Sequence, residues 1–177
     1  MRMAMPADSR ILEILRQVGA AEPASIKLTK ILQSPEQDFF AFSLAAGKSK
    51  ELSRILDQLA RSSVNVRFFN SHLGSKDQVR IQLCIDADSH MDAIRFFQAE
   101  ENAGNLESLH HRLGVRILSL YPFSGEAKVA ERLLSMLRFQ NIKILGLNCA
   151  TSVISCVIPT CDCELATASL RRTFIFP

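Results

Sequence analysis

This 177-residue sequence has no block of like charge, no apolar run of membrane-spanning length, no cysteine framework and no glycine-rich phosphate loop. Its 21 basic and 18 acidic residues are interleaved, for a formal charge of only +3. That balance argues against a nucleic-acid arm or a polybasic membrane patch. The opening MRMAMPADSR reaches Pro6 and Asp8 without the apolar centre of a signal peptide. No later segment approaches the roughly 20 apolar residues of a membrane helix. Five cysteines, an odd number at irregular spacing, fit reduced thiols better than a disulfide scaffold. A cytoplasmic protein with no membrane partner is the expectation.

The side-chain chemistry of catalysis is equally sparse. No Ser-His-Asp set, no paired acid and base and no metal triad can be read from the chain, so neither an enzyme nor a cofactor is expected. His110-His111 and Cys161-Asp162-Cys163 offer neither a CxxC pair nor a helical His-x-x-x-His, so no metal site is expected. Cys149 and Cys156 read as small core or interface residues. Phe68-Phe69 and Phe96-Phe97 could suggest base stacking, but that mode needs aromatics on the central strand. VRIQLCI and VISCVI have none, so no nucleic acid is expected.

What the chain does have is apolar material, 47% hydrophobic residues with 11 Phe, laid out with regular periods. In KELSRILDQLARS, residues 50–62, Leu52, Ile55, Leu56 and Leu59 form one helical stripe. Alternation follows in VNVRFFN, breaks at LGSKD and resumes in QVRIQLCID, the pattern of a strand, a hairpin loop and a second strand. Ser89 is placed to cap the helix SHMDAIRFFQAEE, whose apolar face is Met91, Ala93, Ile94 and Phe97. With DFFAFSLA ahead of all this, the order is strand, helix, strand, strand, helix.

The second half repeats that order. VRILSLY is a strand, GEAKVAERLLSMLRFQ a helix with Ala130, Leu133, Leu134 and Leu137, NIKILGLN and TSVISCVIP strands, and a last helix runs from Asp162. Ile55, Leu56, Leu59, Val64 and Val66 fall on Leu133, Leu134, Leu137, Ile142 and Ile144 at a constant offset, and Ile81, Leu83 and Ile85 on Ile154, Cys156 and Ile158. Two copies of one unit of roughly 70 residues account for the match. At each helix-to-strand passage the chain needs a residue tolerant of left-handed geometry, a position that Ser63 and Asn141 occupy.

SRILDQLARSSVNV, AERLLSMLRFQNIKI and the terminal VISCVIPTCDCELATASLRRTF, with Arg54 and Arg132 at equivalent helix positions, carry a resemblance to the ACT domain. From Ile26 onward the chain is similar to the tandem ACT regulatory region of aspartokinases. The resemblance implies an α+β fold of two ferredoxin-like βαββαβ units in tandem with their sheets joined side by side. It places the first unit with its lead-in strand at 26–110 and the second at 111–177. Residues 1–25 form an N-terminal helix and linker, with an apolar stripe of Ile11, Leu12, Ile14, Leu15 and Val18 that packs on the tandem unit or on a partner. IKLTKILQS looks like the family's lead-in strand, and there the terminal segments complete one unit while the other is inserted within it. With no kinase domain ahead, the length resembles a separately made regulatory subunit.

By the same resemblance the protein is a non-catalytic regulator and a homodimer. It binds an amino-acid effector, lysine or threonine, at a unit or dimer interface and acts on a kinase or other enzyme partner. The family's ligand sites lie where the loop after the first strand meets a helix N-terminus, a place where backbone amides and the helix dipole favour an anion. On this chain that carries to Gly47, Lys48, Ser49 and Lys50, with Val64 and Asn65 downstream, and to Ser124 and Gly125 in the second copy. Ser49 is the expected helix cap, and an ordinary polar helix entry is the other reading of the loop. The family's Pro-Gly pairs are replaced by Ser49-Lys50 and Ala127-Lys128, and its second Asn by Lys143. Those departures are the ground for the alternative function, an interaction or scaffold module with no effector.

Overall fold

One strand of 15 residues runs through both halves of the protein and organises everything around it. The computed structural model describes residues 26–45, 47–74, 78–123 and 125–177. The helix expected over residues 11–18 lies outside them. In chain order the elements are β1 (Lys30–Gln33), β2 (Gln37–Ala45), α1 (Ser49–Arg61), β3 (Val66–Leu73), β4 (Gln78–Asp86) and α2 (His90–Asn102). They continue with β5 (Glu107–Tyr121), α3 (Ala127–Phe139), β6 (Gly146–Cys149), β7 (Ile154–Pro159) and α4 (Cys163–Thr173).

The strands make a seven-stranded sheet in the order β3-β4-β2-β5-β7-β6, with β1 also on β5. The first half of β5 pairs with β2, from Ser43 opposite Glu107 to Gln37 opposite Val115. Its second half pairs with β7 on one side and with β1 on the other, where Gln33 faces Leu118 and Lys30 faces Tyr121. Each unit therefore has the ferredoxin-like order of second, third, first and fourth strand, and β1 supplies the fourth strand of the second unit. The lead-in strand expected with residues 26–110 thus pairs with the second unit instead, which is the strand exchange that the resemblance implied. The expected division at residue 110 falls inside β5.

Two further expectations are corrected. VRILSLY is only the second half of its strand, because β5 begins at Glu107. Its first half breaks strict alternation at two register shifts against β2, near Ser108 (φ +54°) and Gly114 (φ +65°). An inserted residue bends and twists a strand, so β5 coils where the two units meet, and the period of two that marks a strand is lost there. The strand expected over NIKILGLN is confined to Gly146–Cys149. Ile142 and Ile144 ahead of it pack into the core without ladder partners.

The repeated helix-to-strand passages form as their sequence requires. Ser63 and Asn141 both sit at φ +55°. Val64 N–H donates to the Leu59 carbonyl and Ser63 N–H to the Ala60 carbonyl, and Ile142 and Asn141 repeat both bonds to Leu137 and Arg138. These are the paired bonds that satisfy orphan carbonyls at a helix end.

Two cores lie beneath the helices. Phe40, Phe42, Ile55, Leu59, Ile81, Leu83 and Phe97 fill the first unit. Leu118, Leu120, Leu133, Leu137, Ile154 and Leu170 fill the second, with Leu28 from the lead-in segment and Phe174 from the C-terminal segment. Met91 and Leu134, expected on apolar faces, are exposed at 56% and 37%, because neighbouring turns of their helices fill the contact. A third, smaller core lies on the sheet face turned away from the helices, where Phe39, Phe68 and Cys84 of the first unit meet Val115, Ile117 and Val157 of the second.

The sheet curls until β3 nears β6. Gln82 Nε2 donates to the Leu145 carbonyl at 3.0 Å and Asn70 Nδ2 to the Leu147 carbonyl at 3.1 Å. Phe68 lies against Gly146 so closely that a Cβ there would stand 3.0 Å from the ring. No helix among the described residues is long and apolar enough to cross a membrane.

Candidate functional site

The first strand-to-helix loop follows Ala45. Gly47 adopts φ +88°, a left-handed turn that glycine makes without strain. Lys48 N–H then closes on the Ala45 carbonyl at 3.0 Å. The helix begins at Ser49 with Lys48 in the capping position, so Ser49 comes one residue too late for the cap expected of it. Gly47, Lys48 and Lys50 are exposed, and Lys48 Nζ donates to the Gly104 carbonyl at 3.2 Å. Lys48 and Glu126, at the cap positions of α1 and α3, make no side-chain capping bond. In the second loop Gly125 turns at φ +71° before Ala127. Ser124 lies outside the described residues. Ser89 stands at the cap of α2 as expected, without a side-chain capping bond.

Val64 belongs to the core and Asn65 to the surface. Asn65 Nδ2 donates to Asp86 Oδ2 at 3.0 Å, and Arg67 donates to the same carboxylate twice, from Nε at 2.8 Å and Nη2 at 2.9 Å. Strand pairing sets this cluster at the opposite end of the first unit from Gly47. β2 starts at Gln37, opposite Asp86, and ends at Ala45, opposite Gln78. The 13-residue helix α1 separates the two places by about 20 Å at 1.5 Å per residue. Asp86 and Tyr121 line one cleft, and Tyr121 is four residues before Gly125. Strand pairing therefore sets the Asn65 cluster beside the middle of β5, where Gln37 faces Val115, and leaves residues 47–50 near its start, where Ser43 faces Glu107.

Arg67, Asp86 and Gln37 were not among the residues singled out from the sequence. Their only signal was a polar residue at a strand end, which is ordinary in any half-exposed strand. Within the first unit, Asp38 is almost fully buried, accepts the Gly114 N–H at 3.3 Å and lies 2.9 Å from His90 Nδ1. Arg54 ties α1 to α2 through Glu100, and Glu100 also accepts from Asn105 Nδ2 at 2.9 Å. Burial pushes the Cys84 thiol up to about 12, with the Asp38 charge adding, and pushes Cys156 up to about 12 as well. Cys149, expected in a core or interface, is exposed at the end of the short strand β6.

Two carboxylates carry a pH prediction. Arg67, with Asn65 adding, holds Asp86 below the ordinary range against the opposing effect of burial, and Arg54, with Asn105, does the same for Glu100. A folded pKa below the unfolded one contributes stability that is present above the unfolded value, about 4, and lost as pH falls through the folded value. The melting temperature is expected to hold from pH 7 to about 5 and to fall below about 4. Asp86→Asn and Glu100→Gln should each melt lower at pH 7 and flatten that fall. An unchanged acid limb in both variants would remove these pairs as its cause.

Two α+β units of identical strand order, linked through one shared strand and completed by the N-terminal strand, define the tandem ACT fold. Solved structures of aspartokinase regulatory parts share it. The aspartokinase alpha and beta subunits match at a TM-score of 0.71 and 16% identity, covering 82% of this chain and 97% of that one. The regulatory subunit of aspartate kinase from Thermus flavus matches at 0.72 and 13%, covering 84% and 99%. Aspartate kinase from Synechocystis matches at 0.74 and 15%, covering 83% of this chain but only 27% of its own. No protein-family model and no curated protein matches the chain.

Proposed function

We propose that this protein is a non-catalytic regulatory protein that binds a small amino acid at a unit or dimer interface and passes the signal to an enzyme partner inside the cell. The observation that carries this reading is coverage. The chain accounts for 97% and 99% of two solved chains from aspartokinase regulatory parts, so it resembles a whole regulatory module. The geometry adds a constraint. Gly47–Lys50 and Asn65 stand at opposite ends of α1, so one ligand engages both kinds of element only where two units meet head to tail, the loop of one against the Asn65 end of another. The helix N-termini at both loops, where Lys48 and Glu126 make no side-chain capping bond, offer N–H groups to a carboxylate. A ligand held there shifts the packing of two units only through different affinity for its two states.

The competing reading, a scaffold with no effector, is favoured by one contact. Lys48 Nζ is already held by the Gly104 carbonyl rather than poised for a ligand.

A thermal-shift screen of the purified protein against the twenty amino acids, followed by calorimetry, separates the two. Lysine or threonine is expected to raise the melting point, since a ligand at 100 times its dissociation constant stabilises by about 2.7 kcal/mol. The shift should be lost in Asn65→Ala and weakened in Lys48→Ala. A flat screen on a protein that is still a dimer would leave the scaffold reading standing.

A further inference from the structure

We infer that the cleft between the two units, on the sheet face away from the helices, is a second small-molecule site whose ligand is an α-amino acid with an apolar side chain. It does not depend on the loops at 47–50 or 124–125 binding anything.

The space between the two half-sheets is apolar in its middle and polar at one end. Beyond Phe39, Phe68 and Ile117 it opens into a cleft of about 570 Å³, within the range of roughly 300–1,000 Å³ in which small-molecule sites fall. Its wall is drawn from both units, with Arg67 and Asp86 from the first and Ser119, Ser155 and Asn148 from the second. Gln37 also lines it. This residue is 2% exposed, and its Oε1 has no hydrogen-bond partner among the described residues. An orphaned buried acceptor is costly unless something donates to it, so its presence beside an open cleft points to a ligand with an N–H or O–H.

Charge sets the class of that ligand. Arg67 holds Asp86 through Nε and Nη2, and Nη1 has no partner among the described residues. A guanidinium receives a carboxylate well through its remaining N–H groups. Asp86 beside it is a carboxylate that can take an ammonium. One cation and one anion held side by side match a zwitterion better than an ion of either sign. The carboxylate goes to Arg67, and the ammonium to Asp86 and the Gln37 Oε1. The remaining wall, Leu32, Phe68 and Ile117, is apolar and suits a side chain without charge. Because the wall comes from both units, a ligand here would cross-link them.

Calorimetry with phenylalanine and leucine tests this on the full chain. Phenylalanine is expected to bind, while phenylalaninamide, which lacks the carboxylate, and 3-phenylpropionate, which lacks the ammonium, bind at least tenfold more weakly. Arg67→Met and Gln37→Leu should each weaken phenylalanine at least tenfold. Gln37→Leu should melt no lower than the parent, since it removes an unsatisfied acceptor. Lys48→Ala should leave phenylalanine binding unchanged, and a lysine or threonine signal lost in Lys48→Ala alone would belong to the loop. No binding of either apolar amino acid to the folded parent protein overturns the inference, as does binding that the analogues and both cleft variants leave untouched.

Discussion

Phe97→Ala is expected to lower the unfolding free energy by about 3–5 kcal/mol, the range for removing a fully buried aromatic ring. Phe97 is 0% exposed and anchors α2 to the first half-sheet, its ring 4.8 Å from that of Phe40 and 5.4 Å from that of Phe42. Ile81, Leu83 and Ile85 of the same core are fully buried, so the sheet side of the void stays lined by side chains already in full contact. The effect should reach the second unit through β5. The chain has no tryptophan and one tyrosine, Tyr121, at the far end of that strand. Far-ultraviolet circular dichroism and Tyr121 fluorescence should therefore give one common urea midpoint, lowered in both signals. If the dichroism midpoint falls while that of Tyr121 stays, the shared strand does not couple the units.

Leu28→Ala should cost about 2–5 kcal/mol, although the residue lies in the lead-in segment, far in sequence from the core it enters. Leu28 is 2% exposed among Leu118, Leu120 and Phe174, its N–H donates to the Ile175 carbonyl at 2.9 Å, and the next residue donates to Tyr121. Its loss would weaken the N-terminal strand and the C-terminal tail together. Contacting residues couple, whereas distant ones add to within about 0.5 kcal/mol. Leu28→Ala combined with Phe174→Ala should deviate from additivity, and combined with Phe97→Ala it should not. The reverse pattern would mean that the lead-in strand supports the first unit.

These two substitutions probe two units that share their structural parts. The second unit is complete only when β1 adds to β5, and the first only when β5 extends to Glu107. The two units therefore form one continuous sheet. The seam where Phe68 covers Gly146 is held by two side-chain bonds to carbonyls.

What the sequence determined by itself is whatever depends on short-range pattern. The stripe Ile55–Leu59 and its copy Leu133–Leu137 announced buried helix faces, because a period of 3.6 residues is written within a few turns. Ser63 and Asn141 announced their left-handed turns because helix ends have a local grammar, and both copies keep it. The doubled order of elements then led to the fold. Tertiary structure alone decided the rest. The pairing of β1 with β5 joins Lys30 to Tyr121, a choice of partner that no period encodes. The bulges at Ser108 and Gly114 hide half of a strand because they break the alternation that reveals strands. The candidate site divides the same way: the loop at Gly47 could be placed by counting from a helix, whereas Gln37, Arg67 and Asp86 become neighbours only when β2, β4 and β3 pair, and Ser119, Asn148 and Ser155 join their cleft only from the second unit.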